Sequence, residues 1–236
     1  MKKIVFIFLL SIPSLSLFPQ NTAQEFYKSA LIHDSLNDYK SALQDLDNAL
    51  NLNPNYDSAL FLQASIYVKT SEFNVAIKQL NKLQKINKSY NEVFYLKGIA
   101  YAKIGEYIDA IKNFNKAIQV ENNTLKAYYN RALAKGRLDD FKGAIADLTK
   151  VIELNPNYTN AYYSRAYWND LAGNYQESIT DYKKVIELDA VYKEAYIGLA
   201  IVLYQHGNKK EACETLTLVS NKGSIMAEEI KNKICD

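Results

Sequence analysis

Small residues return along this chain at a fixed interval of 34. Cut into six consecutive windows without an insertion (23–56, 57–90, 91–124, 125–158, 159–192 and 193–226), the sequence places Ala30, Ala64, Gly98, Ala132, Ala166 and Ala200 at the eighth position. The twentieth position holds Ala42, Ala76, Ala110, Ala144, Ser178 and Ala212. A column held this small in every copy marks a backbone that a neighbour approaches too closely for a bulkier side chain. A period of this length belongs to stacked supersecondary units rather than to one closed core.

The rest of each window says what the unit is. Ala110, Ile111, Phe114, Ala117 and Ile118 form one helical face, and Ala144, Ile145, Leu148, Val151 and Ile152 repeat it. Bulky residues fill the fourth position (Phe26, Leu60, Phe94, Tyr128, Tyr162, Tyr196) and the twenty-fourth (Leu46, Leu80, Phe114, Leu148, Tyr182, Leu216). Breaker pairs sit mid-window: Asn37-Asp38, Gly105-Glu106, Asp139-Asp140, Gly173-Asn174 and Gly207-Asn208. Each window therefore reads as a helix, a short turn and a second, antiparallel helix. The phrase NPNY, carrying Pro54 and Pro156, is expected to end the second helix, since proline cannot extend the hydrogen-bond ladder. Tyr56, Tyr90, Tyr158 and Tyr192 then stand ready to pack over the junction. Eight glycines and four prolines are too few for the many tight turns of a sandwich or barrel.

The 34-residue period, with its order of large, small, aromatic, alanine, aromatic and proline, resembles the tetratricopeptide repeat over residues 23–226. Lys88, Asn122, Ala190 and Ser224 depart from it at the terminal proline, and no Trp fills the fourth position. The resemblance implies an all-α, right-handed α-solenoid of six helix-turn-helix repeats, closed by a capping helix over 224–236. In that cap Met226, Ile230 and Ile234 are expected to cover the last hairpin, with Glu228, Lys231 and Lys233 in water. Cys213 stands at a position that in this family packs on the next helix, here the cap bearing Cys235. The two are either bridged, as suits an exported protein, or left as thiols.

Residues 1–22 read as a signal peptide: Lys2 and Lys3, the apolar run Ile4–Leu10, then Ser11 and Pro13, with cleavage after Ser16 or after Ala23. The apolar run is too short to span a bilayer. Removing it lowers Lys+Arg from 28 to 26 against 26 Asp+Glu, which leaves none of the basic excess that nucleic acid demands. The expectation is an exported bacterial protein, periplasmic or secreted, and not integral to the membrane once cleaved.

No nucleophile–base, phosphate-loop or metal-ligand pattern occurs, so neither an enzyme nor a cofactor is expected. Of the two histidines, His33 shares a position with Tyr67 and Tyr101 and is expected to pack, while His206 sits at a turn beside Gly207. Two polar positions pair Arg131 with Asp147 and Arg165 with Asp181; Lys97 with Asn113 and Gln63 with Gln79 take the same places in other windows. These pairs predict a contact between the two helices of each hairpin.

Family resemblance puts the first helix of each hairpin on a concave wall. Its fifth position is a ladder of Tyr27, Phe61, Tyr95, Tyr129, Tyr163 and Ile197, flanked by Lys126, Asn130, Asn160, Ser164 and Tyr167. Tyrosine offers rigid apolar area with a polar tip, as interfaces do, and such a groove suits an extended peptide or a helix. The same rings also suit packing against neighbouring helices. The lysine with which some family members grip a C-terminal carboxylate is absent from the ladder, so that clamp is not carried over. The expected function is a non-catalytic scaffold for a protein or peptide partner. The alternative is a carrier for a non-protein ligand such as a glycan or cell-wall fragment.

Overall fold

In the computed structural model, which describes residues 22–121, 124–221 and 223–235, every second helix of the six windows starts 34 residues after the one before. These are α2 (Tyr39–Leu52), α4 (Phe73–Ile86), α6 (Tyr107–Gln119), α8 (Phe141–Leu154), α10 (Tyr175–Leu188) and α12 (Lys209–Ser220). The first helices are α1 (Ala23–Ser35), α3 (Asp57–Lys69), α5 (Val93–Lys103), α7 (Thr124–Gly136), α9 (Thr159–Leu171) and α11 (Lys193–Gln205). A last helix, α13 (Ile225–Ile234), follows, and no strand occurs among the described residues. The signal segment expected over 1–22 lies outside the described residues apart from Thr22. That residue caps α1: its hydroxyl accepts from the Glu25 N–H at 3.2 Å, while the Glu25 carboxylate accepts from the Thr22 N–H at 2.6 Å.

The turn inside each hairpin has one conformational demand. Asn37, Ser71, Gly105, Asp139, Gly173 and Gly207 share the fifteenth position, and all have a left-handed backbone, with φ between 59° and 86°. Glycine reaches that region freely and Asn or Asp reach it through local hydrogen bonds, which explains the breaker pairs. Ser71 meets the same demand without being a breaker by type.

At the far end of four hairpins a side chain shares the role given to proline. The side chains of Asn53, Asn87, Asn155 and Asp189 each accept from the N–H two residues on, at 3.3, 3.1, 3.1 and 3.0 Å. This Asx turn closes the helix after Asn87 and Asp189, where Lys88 and Ala190 stand in place of proline. The helix therefore stops at Asn or Asp with proline after it, at Pro54 and Pro156, and without it, at Lys88 and Ala190.

The chain divides into two units between Ala59 and Leu60. In the first, α1 packs on α2 around the fully buried Ala30, Ala42, Leu46 and Ala49. In the second, each helix from α4 to α13 packs on the next, and the first helices α5, α7, α9 and α11 also touch one another in turn. The result is an all-α repeat solenoid. All twelve residues of the two small columns are buried. Gly98 shows why: a Cβ there would come within 2.5 Å of the Phe114 ring. Where the eighth position is alanine, the twenty-fourth is Leu in every case but one, the Ala166–Tyr182 pair.

Helix α13 begins at the Ser224 cap and buries Ala227 fully, with Ile230 and Ile234 packed against the same cluster. Met226, expected in that row, is 61 % exposed, because it lies one residue off the line drawn by Ala227, Ile230 and Ile234. A disulfide joins Cys213 of α12 to Cys235 just past α13, their Cα atoms 5.8 Å apart.

Candidate partner-binding wall

Along the first helices of the second unit, the fifth-position residues Phe61, Tyr95, Tyr129 and Tyr163 are all half-buried. Three of these rings lie against the aromatic residue that ends their own window. Ring centres are 5.4 Å apart for Phe61–Tyr90, 5.3 Å for Tyr129–Tyr158 and 5.1 Å for Tyr163–Tyr192. The third window ends in Thr124, so Tyr95 turns instead to Phe114, at 6.1 Å. The ladder rings are therefore fixed by packing on one side.

Their hydroxyls couple one repeat to the next. Asn130 Nδ2 donates to Tyr95 Oη at 3.3 Å and to the Lys126 carbonyl at 2.8 Å, and Tyr129 Oη lies 3.4 Å from Ser164 Oγ. Tyr192 Oη donates to Asn160 Oδ1 at 3.4 Å. In the first two cases the fifth position of one window meets the sixth of the following one. Burial raises the Tyr95 and Tyr163 phenols above their ordinary range, so both stay neutral donors. Lys126, Asn160 and Tyr167 stand exposed beside this line.

Of the residues expected at the site, Tyr95 and Asn130 are joined by a hydrogen bond, with Asn130 also on the Lys126 carbonyl, and Tyr129 is joined separately to Ser164. Tyr163 and Tyr167 line a hollow with Tyr182, Gly198 and Met226, while Phe61 stands apart with Tyr90. Tyr182, Asp170, Glu194 and Gly198 were not expected there. Tyr182 and Gly198 stand out in the sequence as the one tyrosine of the twenty-fourth position and the one glycine of the sixth, whereas Asp34 and Glu92 share the positions of Asp170 and Glu194.

The polar pairs hold the hairpins rather than line the wall. Arg131 donates Nε to Asp147 Oδ2 at 2.8 Å and Nη2 to Oδ1 at 2.6 Å, and its Nη1 reaches Asn115 of the preceding window at 2.6 Å. Lys135 adds a second cation to Asp147, at 2.8 Å. Lys97 does not meet Asn113: its ammonium donates to Gln84 at 2.8 Å, and Asn113 donates to the Asp109 carbonyl instead. Burial lowers the Lys97 pKa. His33 is likewise more than a packing residue, with Nδ1 2.9 Å from Asp45 Oδ2. Asp45, Asp147 and Asp181 all occupy the twenty-third position, so in these three windows the same carboxylate place is met by His33, Arg131 and Arg165. Among the described residues no three His, Cys, Asp or Glu side chains converge as metal ligands. No helix among them is long and apolar enough to cross a membrane.

Family models agree with this geometry. One described as anaphase-promoting complex, cyclosome, subunit 3 matches residues 37–117, and tetratricopeptide-repeat models match 125–158 and 171–218. Among solved structures, MamA is 26 % identical, with a TM-score of 0.64 over 72 % of this chain and 96 % of its own. PilW, described as a widely conserved type IV pilus biogenesis factor, is 18 % identical, with a TM-score of 0.75 over 88 % of this chain and 97 % of its own. YrrB, described as a TPR protein with an unusual peptide-binding site, is 20 % identical, with a TM-score of 0.68 over 80 % and 97 %. No curated protein matches the chain in sequence. Repeat period, helix pairing, the buried small columns and these matches together place the chain in the tetratricopeptide-repeat family.

Proposed function

We propose that this protein is an exported, non-catalytic scaffold that binds a protein or peptide partner along the first helices of its second unit. One observation carries the choice of surface: at two successive steps a wall tyrosine is hydrogen-bonded to the next repeat, Tyr95 to Asn130 and Tyr129 to Ser164, with exposed Tyr167, Lys126 and Asn160 beside them. Such a row offers alternating polar tips and apolar ring edges along a line, which is what an extended chain or a helix can follow. Export rests on the basic-then-apolar pattern of residues 1–22, and the Cys213–Cys235 bridge suits an oxidising compartment.

Selection of a random peptide library on the purified protein, followed by amide-shift mapping of a recovered peptide, tests the surface. Shifts along α7 and α9 that weaken in Lys126→Glu/Tyr167→Ala are expected; shifts confined to other helices, or no selected peptide, would remove the proposal. N-terminal sequencing of the protein from cells tests export. A start at Leu17 is expected, because cleavage after Ala23 would discard the Thr22 cap of α1, whereas an intact Met1 would overturn export.

A further inference from the structure

The ladder has one missing rung. In two successive steps a tyrosine at the fifth position finds a polar side chain at the sixth position of the next repeat, Asn130 for Tyr95 and Ser164 for Tyr129. At the next step that place is Gly198, which offers Tyr163 nothing. The glycine has a steric cause: a Cβ there would stand 2.6 Å from the Tyr182 ring, the one tyrosine in a column otherwise of Leu and Phe. Glycine lets that ring rise between α9 and α11. What remains is a hollow of about 260 Å³ lined by Tyr163, Tyr167, Tyr182, Asp170 and Glu194, with Ile197, Ile201 and Met226 as its apolar shoulder.

The charge of the hollow has one sign. Its lining holds two carboxylates and no Lys or Arg, and neither Asp170 nor Glu194 makes an ion pair among the described residues. Burial raises the Asp170 pKa, opposed only by the nearby His206, so the site gains from any cation that enters. The Tyr182 hydroxyl faces the same space with its pKa raised by burial and by Tyr163 and Asp170, which keeps it a neutral donor. Three aromatic rings with two carboxylates form a setting in which an ammonium or guanidinium gains both Coulomb and cation–π attraction.

We infer that this hollow between α9 and α11 takes a lysine or arginine side chain of the partner, whose flanking apolar residue sits on Ile201 and Met226. The inference rests on the peptide-binding reading of the wall and gives it a chemical preference for a basic segment. The exposed Ile201 (36 %) and Met226 (61 %) supply the apolar seat.

Three blocked tripeptides test it on the full chain by amide and methyl shift titration: acetyl-Leu-Lys-Leu-amide, the same with norleucine for Lys, and the same with Glu. The lysine peptide should move Gly198, Ile201 and Met226 and bind at least tenfold more tightly than either of the others. Asp170→Asn/Glu194→Gln should lose that tenfold preference at an unchanged unfolding midpoint. Equal binding of the norleucine peptide to the native chain would overturn the inference without any variant. So would shifts by an N-acetylglucosamine oligomer, but not the lysine peptide, at Gly198. Lysine-peptide shifts confined to Tyr95, Tyr129 and Asn130 would sink this pocket while leaving the wall intact, whereas a failed library selection would sink the wall itself.

Discussion

Arg165 and Asp181 meet across the α9–α10 hairpin in a two-point contact, Nε to Oδ2 and Nη2 to Oδ1, both at 2.8 Å. The remaining Nη1 reaches back 3.0 Å to Thr149 of the hairpin before it. One guanidinium therefore closes its own hairpin and ties it to the previous one, as Arg131 does with Asp147 and Asn115. The planar fork of arginine makes this possible; a lysine would supply charge without the geometry.

The two arginines should differ in importance. Among the described residues Asp181 has no cation but Arg165, while Asp147 keeps Lys135 when Arg131 is lost. Arg165→Ala leaves a carboxylate only 6 % exposed without a partner and should destabilise by about 3 kcal/mol. Arg131→Ala should lose clearly less. Urea unfolding of both variants checks the order, and Arg165→Met/Asp181→Leu should regain most of the loss.

Gly98 and Phe114 are a matched pair. Gly98→Ala places a Cβ 2.5 Å from the ring and should destabilise by about 1–3 kcal/mol through overpacking. Adding Phe114→Leu restores the Ala–Leu combination of the neighbouring repeats and should return much of that stability. Additive losses in thermal unfolding of the double variant would refute the pairing.

The turns permit changes of opposite sign. Ser71 has φ 66°, so Ser71→Gly should relieve strain and stabilise by about 0.5–1 kcal/mol. Gly105→Ala should destabilise by about 1–2 kcal/mol from backbone strain alone, since a Cβ there meets nothing within 4 Å. Differential scanning calorimetry of the two variants tests the signs.

Cys213 and Cys235 are 22 residues apart, and closing such a loop limits the unfolded chain by roughly 3 kcal/mol. Reduction, or Cys213→Ser/Cys235→Ser, should lower the unfolding midpoint and free the end of α13 first. Hydrogen exchange should show the amides of residues 228–234 losing protection before those of α12.

The repeat made the architecture legible before any coordinates, because alanine at the eighth and twentieth positions is a statement about backbone distance, and Ala110 or Ala144 cannot be read another way. The hairpin pairs Arg131–Asp147 and Arg165–Asp181 were legible for the same reason: these positions, sixteen residues apart, lie across one hairpin, and here the side chains are opposite in charge. Features set by departure from the frame were not. Lys97 is long enough to reach Gln84 across the hairpin boundary, and no column shows reach. His33 seemed apolar by the company of Tyr67 and Tyr101, yet Asp45, not its column, decides its contact. The hollow at Gly198 needed two exceptions, Tyr182 and Gly198, to coincide in space with Asp170 and Glu194, which a list of columns keeps apart.

The invariant spacing of the second-helix starts carries a consequence for length. Because each hairpin offers its successor the same buried face, duplicating a stretch such as 125–158 in frame would add another rung without redesigning any boundary. Gly198 and Tyr182 do not copy in this way, since their hollow lies between two adjacent repeats and exists at one step. On the binding proposed above, lengthening upstream would extend the span open to a partner while leaving a single terminal notch to fix where that partner begins.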